Sequence, residues 1–262
     1  MKVVLFCGGR GMRMREFSES IPKPMVPVGP RPILWHLMRY YAHYGHTDFV
    51  ICLGYKGDHI KRYFLDYEEW LSNDFVLRGG NGSGDVAVEM LNTDLDTWNI
   101  TFVDTGLDSN IGQRLVAVRE HLQGEEIFLA NYGDGLSDCP IDVMVDEVAA
   151  DPEIIGNFLC VPPSQSFHVV EIDDDNRATD FAEADAAGVW VNGGYFVFRQ
   201  ELFDYIEPGE ELVYEPFRRL MDERRLLAHR HEGFWMGMDT FKDRQQLDDM
   251  HQAGAAPWEK WT

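Results

Sequence analysis

The chain has 262 residues, 45% of them hydrophobic and 13% aromatic, enough for one large α/β domain with a sizeable core and beyond what disordered chains reach. Its 45 acidic and 23 basic side chains leave a formal charge of −22, a field that repels a phosphate backbone and argues against a nucleic-acid partner. Any polyanionic ligand must be held by a few local cations or by a metal.

Cys7, Cys52, Cys139 and Cys160 show no C-x-x-C spacing and read as reduced, buried thiols. The apolar run at the N-terminus breaks at Gly8-Gly9, too short for a signal-peptide core, and no stretch approaches the ~20 residues of a membrane span. The expectation is a soluble cytoplasmic protein with no membrane partner.

In chain order, short β-branched or apolar runs alternate with longer amphipathic ones, the pattern of strands linked by crossover helices. Val3 to Cys7 reads as a buried strand. Pro32 opens a helix with apolar Leu34, Leu37, Met38 and Tyr41, which Gly45 ends. Asp48 to Leu53 is the next strand and Asp58 to Asp66 the next helix. Ile100 to Val103 follows as a strand, then a helix marked by Leu115, Val118 and Leu122, then the strand Ile127 to Ala130. After Asp151 the strand-like runs crowd together, at Ile154 to Val161, Phe167 to Ile172 and Val189 to Phe198, with Asp173 to Asn176 as a solvated turn. Helices at Pro216 to Arg225 and Phe241 to Met250 flank a last strand from Leu226 to His231. The fold class is α/β, with a mixed and mainly parallel sheet carrying antiparallel additions in its second half. One domain over 1–262 is expected, with a part that binds a first ligand at about 1–150 and a second part at about 151–262.

Three segments carry chemistry. Gly8-Gly9-Arg10-Gly11-Met12-Arg13 follows the first strand directly; its glycines allow close backbone approach to an anion, and Arg13 adds a cationic fork. It lacks the Lys-Ser/Thr of a P-loop and the third glycine of a dinucleotide fingerprint. In Ile21-Pro22-Lys23-Pro24-Met25 two prolines bracket one lysine; they are expected to hold Ile21 and Lys23 extended and to aim the ammonium at a phosphate. Asn131-Tyr132-Gly133-Asp134-Gly135 places a carboxylate between glycines at the carboxyl edge of the sheet, where α/β proteins bind ligands. Asp134, with Asp239 in Gly237-Met238-Asp239-Thr240, would make a hard-oxygen site for Mg²⁺ bound to phosphates. His229 and His231 lie two apart on a strand with no third ligand evident, and zinc is not expected.

The order Gly8-Gly9-x-Gly11-x-Arg13, Lys23-Pro24-Met25, Trp98 to Thr101 with Val103-Asp104-Thr105-Gly106, Tyr132-Gly133-Asp134-Gly135, Asn192-Gly193-Gly194, Gly233-Phe234-Trp235, Met238-Asp239-Thr240 and the closing Ala256-Pro257-Trp258 resembles the sugar-1-phosphate nucleotidyltransferases, and within them the glucose-1-phosphate cytidylyltransferases. The resemblance implies a Rossmann-like nucleotidyltransferase fold and a homo-oligomer. It also implies Mg²⁺-dependent attack of a sugar-phosphate oxygen on the α-phosphorus of a nucleoside triphosphate, CTP first and UTP second, releasing pyrophosphate. Carried over by position, Gly8, Gly9, Gly11, Arg13, Lys23, Gly133 and Asp134 would hold the nucleotide, with Arg13 and Lys23 on its phosphates as the catalytic cations. Asp134 and Asp239 would bind the metal, and Asn192 and Gly193 the sugar. Two departures stand out. Met12 replaces a small hydroxyl residue, and Ala184 stands where relatives carry a lysine for the sugar phosphate. His168, with Arg177 second, is the expected substitute.

Overall fold

The computed structural model describes residues 1–9, 20–79, 86–95, 97–163, 168–183 and 188–261, the side chains of 168, 169, 171 and 181–183 excepted. Gly11, Met12, Arg13 and Ala184 therefore lie outside the described residues.

A seven-stranded sheet organises the chain. Its strands are β1 (Lys2–Phe6), β4 (Asp48–Leu53), β7 (Asn99–Asp104), β8 (Ile127–Asn131), β10 (Gly156–Val161), β13 (Val191–Arg199) and β14 (Leu226–Arg230), in the order β14-β10-β13-β8-β1-β4-β7. The first-half strands run parallel, β13 is antiparallel to both β8 and β10, and β14 is again parallel to β10. The mixed sheet with antiparallel additions is as the sequence suggests, and β8 joins the two parts of the chain edge to edge through β13.

Period-2 alternation in these strands feeds two cores, one on each face. Val3, Leu5, Phe49, Ile51 and Leu129 point into one; Val4, Phe6, Val50, Phe128 and Ala130 point into the other. Helix α1 (Ile33–His43) covers the first face with Leu34, Leu37, Met38 and Tyr41. On the second face lie α3 (Ile111–Ala117) and the segment after it, through Leu115, Val118 and Leu122. All four cysteines are free and buried. Between these helices, α2 (Gly57–Leu65) follows β4.

Several elements differ from expectation. Helix α4 (Ile141–Ala150) buries Ile141, Met144 and Val148 in a stretch where no element is expected. A hairpin of β5 (Phe75–Arg78) and β6 (Ala87–Met90) stands apart from the main sheet, also unexpected. The strand expected from Ile154 begins at Gly156; Ile154 N–H closes a turn onto the Asp151 carbonyl at 3.1 Å instead. Two short ladders, β2 (Pro27–Val28) with β3 (Arg31–Pro32) and β9 (Gly135–Ser137) with β15 (Trp235–Gly237), are too brief to show in the pattern. A second hairpin, β11 (His168–Ile172) with β12 (Ala178–Glu183), turns through an exposed Asp173–Asn176, with Asn176 left-handed at φ 62°. Helices α5 (Glu215–Asp222) and α6 (Phe241–Gln252) complete the chain. Among the described residues no helix is long and apolar enough to cross a membrane.

Candidate active site

In the sheet order, β4 and β7 lie on one side of β1 and β8 on the other, so the chain reverses direction across the sheet between β1 and β8. At such a point the loops leaving two adjacent parallel strands diverge and open a crevice. Gly8-Gly9 leaves β1 there, and Tyr132-Gly133-Asp134 leaves β8. The loops touch at their roots: a Cβ on Gly133, whose φ is +81°, would lie 3.2 Å from the Phe6 carbonyl. The Asn131 carboxamide fixes the turn by accepting from Gly133 N–H at 2.7 Å.

Lys23 reaches this crevice from a single 3₁₀ turn, Lys23–Met25. The expectation of an extended Lys23 is therefore corrected. Steric pressure from Pro24 disfavours a helical residue 23, but two turn hydrogen bonds, Met25 N–H to Pro22 at 2.8 Å and Val26 N–H to Lys23 at 3.1 Å, offset it. The ammonium is nonetheless aimed. It donates to Asp134 Oδ2 and to Asp239 Oδ1, each at 2.7 Å. The lysine side chain is 12% exposed and each carboxylate 36%. Burial pulls the Lys23 pKa down, and the two carboxylates more than reverse this, leaving it above the ordinary lysine value.

Main-chain bonds hold the carboxylates together. In the β9–β15 ladder Gly135 pairs with Gly237, and Met238 N–H donates to the Asp134 carbonyl at 2.8 Å, so residues 134 and 239 leave the same end of one ladder. Beyond it, a reciprocal capping box starts α6, with Thr240 and Asp243 each bonding the other's backbone N–H. The Asp243 carboxylate also accepts from Asp239 N–H at 3.1 Å. Helix α6 is tied in turn to the segment after Lys23, through Gly29 N–H to Asp248 and Arg244 to the Pro27 carbonyl. Asp134, Asp239 and Lys23 thus belong to one braced unit.

Two carboxylate oxygens converging on one cation are the hard donor set that Mg²⁺ takes in phosphate chemistry, with substrate oxygens and water completing the shell. The residues present fit such an ion, and Lys23 Nζ marks where positive charge is stabilised between them.

Asn192 stands beside Tyr132, to whose hydroxyl its NH₂ donates at 3.1 Å, while its oxygen accepts from Gly194 N–H at 2.9 Å. The Gly193 carbonyl accepts from Trp235 Nε1 at 2.8 Å. Trp235 belongs to the ladder that carries Asp134 and Asp239, so the second-half residues are physically joined to the carboxylates. Gly9 stands exposed, with nothing among the described residues within 4 Å of an added Cβ. The backbone of His168 pairs with Glu183 at the root of the β11–β12 hairpin, whereas Arg177 lies exposed in its far turn. Five residues of strand, roughly 15 Å, separate the two, so His168 and Arg177 stand at opposite ends of the hairpin. His229 pairs with Glu147 and His231 with Asp138, and no cluster of three or more metal-ligating side chains occurs among the described residues.

Arg114 was not legible in the sequence. It is 3% exposed and lies in the first turns of α3, donating to the carbonyls of Gly8, Leu53 and Gly106 and to the Thr105 hydroxyl at 2.7–3.2 Å. Burial lowers its pKa, yet a guanidinium stays charged. One buried cation thus gathers the loops after β1, β4 and β7 beneath the crevice. The only sequence signal is the capping box Asn110–Gln113 that starts its helix.

The sequence profile of the nucleotidyl transferase family matches residues 2–247. The chain is 36% identical over 262 residues to glucose-1-phosphate cytidylyltransferase of Salmonella typhi, covering 100% of both. It is 35% identical over 266 residues, again 100% of both, to the Bacillus subtilis (strain 168) protein named "Probable glucose-1-phosphate cytidylyltransferase". The crystal structure of a UDP-glucose pyrophosphorylase complexed with UDP-glucose superposes with a TM-score of 0.69 at 15% identity, over 97% of this chain and 98% of that one, which establishes a shared fold. With Asp134, Asp239 and Lys23 brought together at the switch point of that fold, the chain belongs to the nucleotidyl transferase family, as a sugar-1-phosphate nucleotidyltransferase similar to the glucose-1-phosphate cytidylyltransferases.

Proposed function

We propose that this enzyme transfers a cytidylyl group from CTP to glucose 1-phosphate with the help of Mg²⁺, releasing pyrophosphate. The observation behind the metal is the convergence of Asp134 and Asp239 on one cation at 2.7 Å. The choice of CTP and glucose 1-phosphate rests on the end-to-end similarity to cytidylyltransferases. A divalent cation at the carboxylates would neutralise the triphosphate as negative charge builds in the transition state. Lys23, and Arg13 by position in the family motif, would bind phosphate oxygens. The sugar phosphate is already anionic, so no protein nucleophile is required, and positioning with charge stabilisation provides the rate. The sugar ring would lie against Asn192 and Gly193. The loop at Gly8, pinned by Arg114, would present its backbone to the base, whose edge distinguishes cytosine from uracil by exchange of a donor for an acceptor.

The decisive experiment is pyrophosphate release over a matrix of nucleoside triphosphates and sugar 1-phosphates, with and without Mg²⁺. CTP with glucose 1-phosphate should dominate, with purines rejected. A preference for UTP removes only the cytidylyl assignment, and comparable rates with ATP or GTP refute the pyrimidine reading.

We also read the chain as a homo-oligomer. In the β5–β6 hairpin, Phe75 opposes Met90 and Leu77 opposes Val88, with Phe75, Leu77 and Val88 43%, 61% and 56% exposed. An isolated two-stranded sheet is marginal in water, and an apolar face of this kind is commonly covered by another chain. Light scattering on the purified protein, with Leu77→Glu as the dissociating variant, tests this.

A further inference from the structure

Lys23 does more here than wait for a phosphate. Its ammonium sits where the two carboxylates meet, 2.7 Å from an oxygen of each, which places those oxygens within about 5.4 Å of one another. A magnesium ion drawing on the same two oxygens needs them at about 2.0–2.1 Å from its centre. Ammonium and metal therefore claim the same space, and one must leave before the other enters.

The lysine cannot leave without a new partner. Its side chain is only 12% exposed and is paired to both carboxylates, so departure alone strands a buried cation. Triphosphate oxygens supply what it lacks. The carboxylates in turn, in a chain of charge −22, lose the positive charge shared between them as Lys23 moves and can take up a divalent cation in its place. The prolines on either side make the exchange local: Pro22, buried, caps the turn and Pro24 sits at its second position, so the backbone stays and the side chain swings.

We propose that Lys23 is an internal counterion that blocks the metal site until a triphosphate draws it away, so that metal and triphosphate enter by exchange of partners. The inference rests on the reading of Asp134 and Asp239 as metal ligands. Linkage makes the effect reciprocal: whatever frees the carboxylates raises metal affinity, and metal binding frees Lys23 for phosphate.

The test uses Mn²⁺ alone as probe, its free-ion electron paramagnetic resonance signal titrated against full-length protein with no nucleotide present. Lys23→Met should bind Mn²⁺ at least tenfold more tightly than the native chain, and Asp134→Asn added to Lys23→Met should abolish the gain. Should Lys23→Met fail to fold, Lys23→Gln, which keeps a donor for the carboxylates while removing the charge, carries the same expectation. Equal or weaker Mn²⁺ binding by the lysine variants overturns the exchange; if native turnover still depends on Asp134, the metal assignment stands without it. A gain that persists in the Asp134→Asn double variant places the ion elsewhere and overturns both.

Discussion

A Cβ built on Gly8 would lie 1.9 Å from Nη1 of Arg114. The clash is with the end of a long side chain, which elsewhere would move aside. Here the guanidinium is buried and spends its donors on three loops, and hydrogen bonds to charged groups are worth about 1.5–3 kcal/mol each. Gly8→Ala should therefore lower the melting temperature and raise the KM for the triphosphate at least tenfold, with the KM for sugar phosphate little changed. Gly9→Ala, whose added Cβ meets nothing among the described residues, should leave stability unaltered. Thermal melts and two-substrate kinetics on this pair separate a steric demand for glycine from a general loop effect.

Asp134→Asn and Asp239→Asn each keep an oxygen that can accept from Lys23 while losing the charge. Turnover should fall by on the order of 10³ or more, by analogy with removing preorganised charge, with far-ultraviolet circular dichroism unchanged. Near-native rates at saturating Mg²⁺ in either variant would contradict the two-carboxylate site.

Acid should weaken the fold through His36. Its Nε2 donates to the Val28 carbonyl at 2.9 Å, and its Nδ1 accepts from Trp258 Nε1 at 3.3 Å, an arrangement only the neutral ring can make. Burial above all pushes its pKa down to about 4, with His251 and Arg31 acting in the same direction. Between that value and the ordinary ~6.5 the unfolded chain binds a proton that the folded one refuses. Stability is therefore complete above about pH 6.5 and is lost as pH falls toward 4, by about 2 kcal/mol between pH 7 and 5. Urea unfolding at those two pH values should show a loss in the native chain that exceeds the loss in His36→Gln by about that amount.

Asn192→Ala removes both the donor to Tyr132 and the acceptor for Gly194 N–H. A lost pair of this kind costs about 1–3 kcal/mol of stability, read as a lower urea midpoint, and with the site's support loosened the KM for sugar 1-phosphate should rise while that for triphosphate holds. Equal effects on both substrates would move Asn192 out of the sugar site.

His168, at the root of the β11–β12 hairpin, is the first candidate to replace the lysine absent at Ala184, ahead of Arg177. In His168→Ala the KM for glucose 1-phosphate should increase selectively. Unchanged kinetics would leave the sugar phosphate to another group.

The sequence was readable where one physical demand dominates. Asp48–Leu53 matches its strand residue for residue, because a buried parallel strand tolerates little but β-branched and apolar side chains. Helix Ile141–Ala150 was missed because its valines favour strands as strongly as their spacing favours a helix; burial of Met144 and Val148 decides it. In the site, glycine turns and isolated carboxylates announced Asp134 and Asp239, since such residues after a strand have few other uses. Arg114 gave no such signal, because its role depends on three loops meeting in space. Lys23, expected extended, sits in a 3₁₀ turn, as local proline sterics lose to two turn hydrogen bonds.

The ladder between β9 and β15 also imposes an order on the protein's birth. Asp134 leaves the ribosome with β9, but the strand that pairs with β9, and Asp239 behind it, follow about 100 residues later, a delay on the order of 5–20 s at ordinary rates of synthesis. Strand β8 likewise waits for β13 to cover its edge. A nascent or truncated chain can thus form its first strands and helices while remaining unable to assemble the carboxylate pair, which comes together only once β15 has been made.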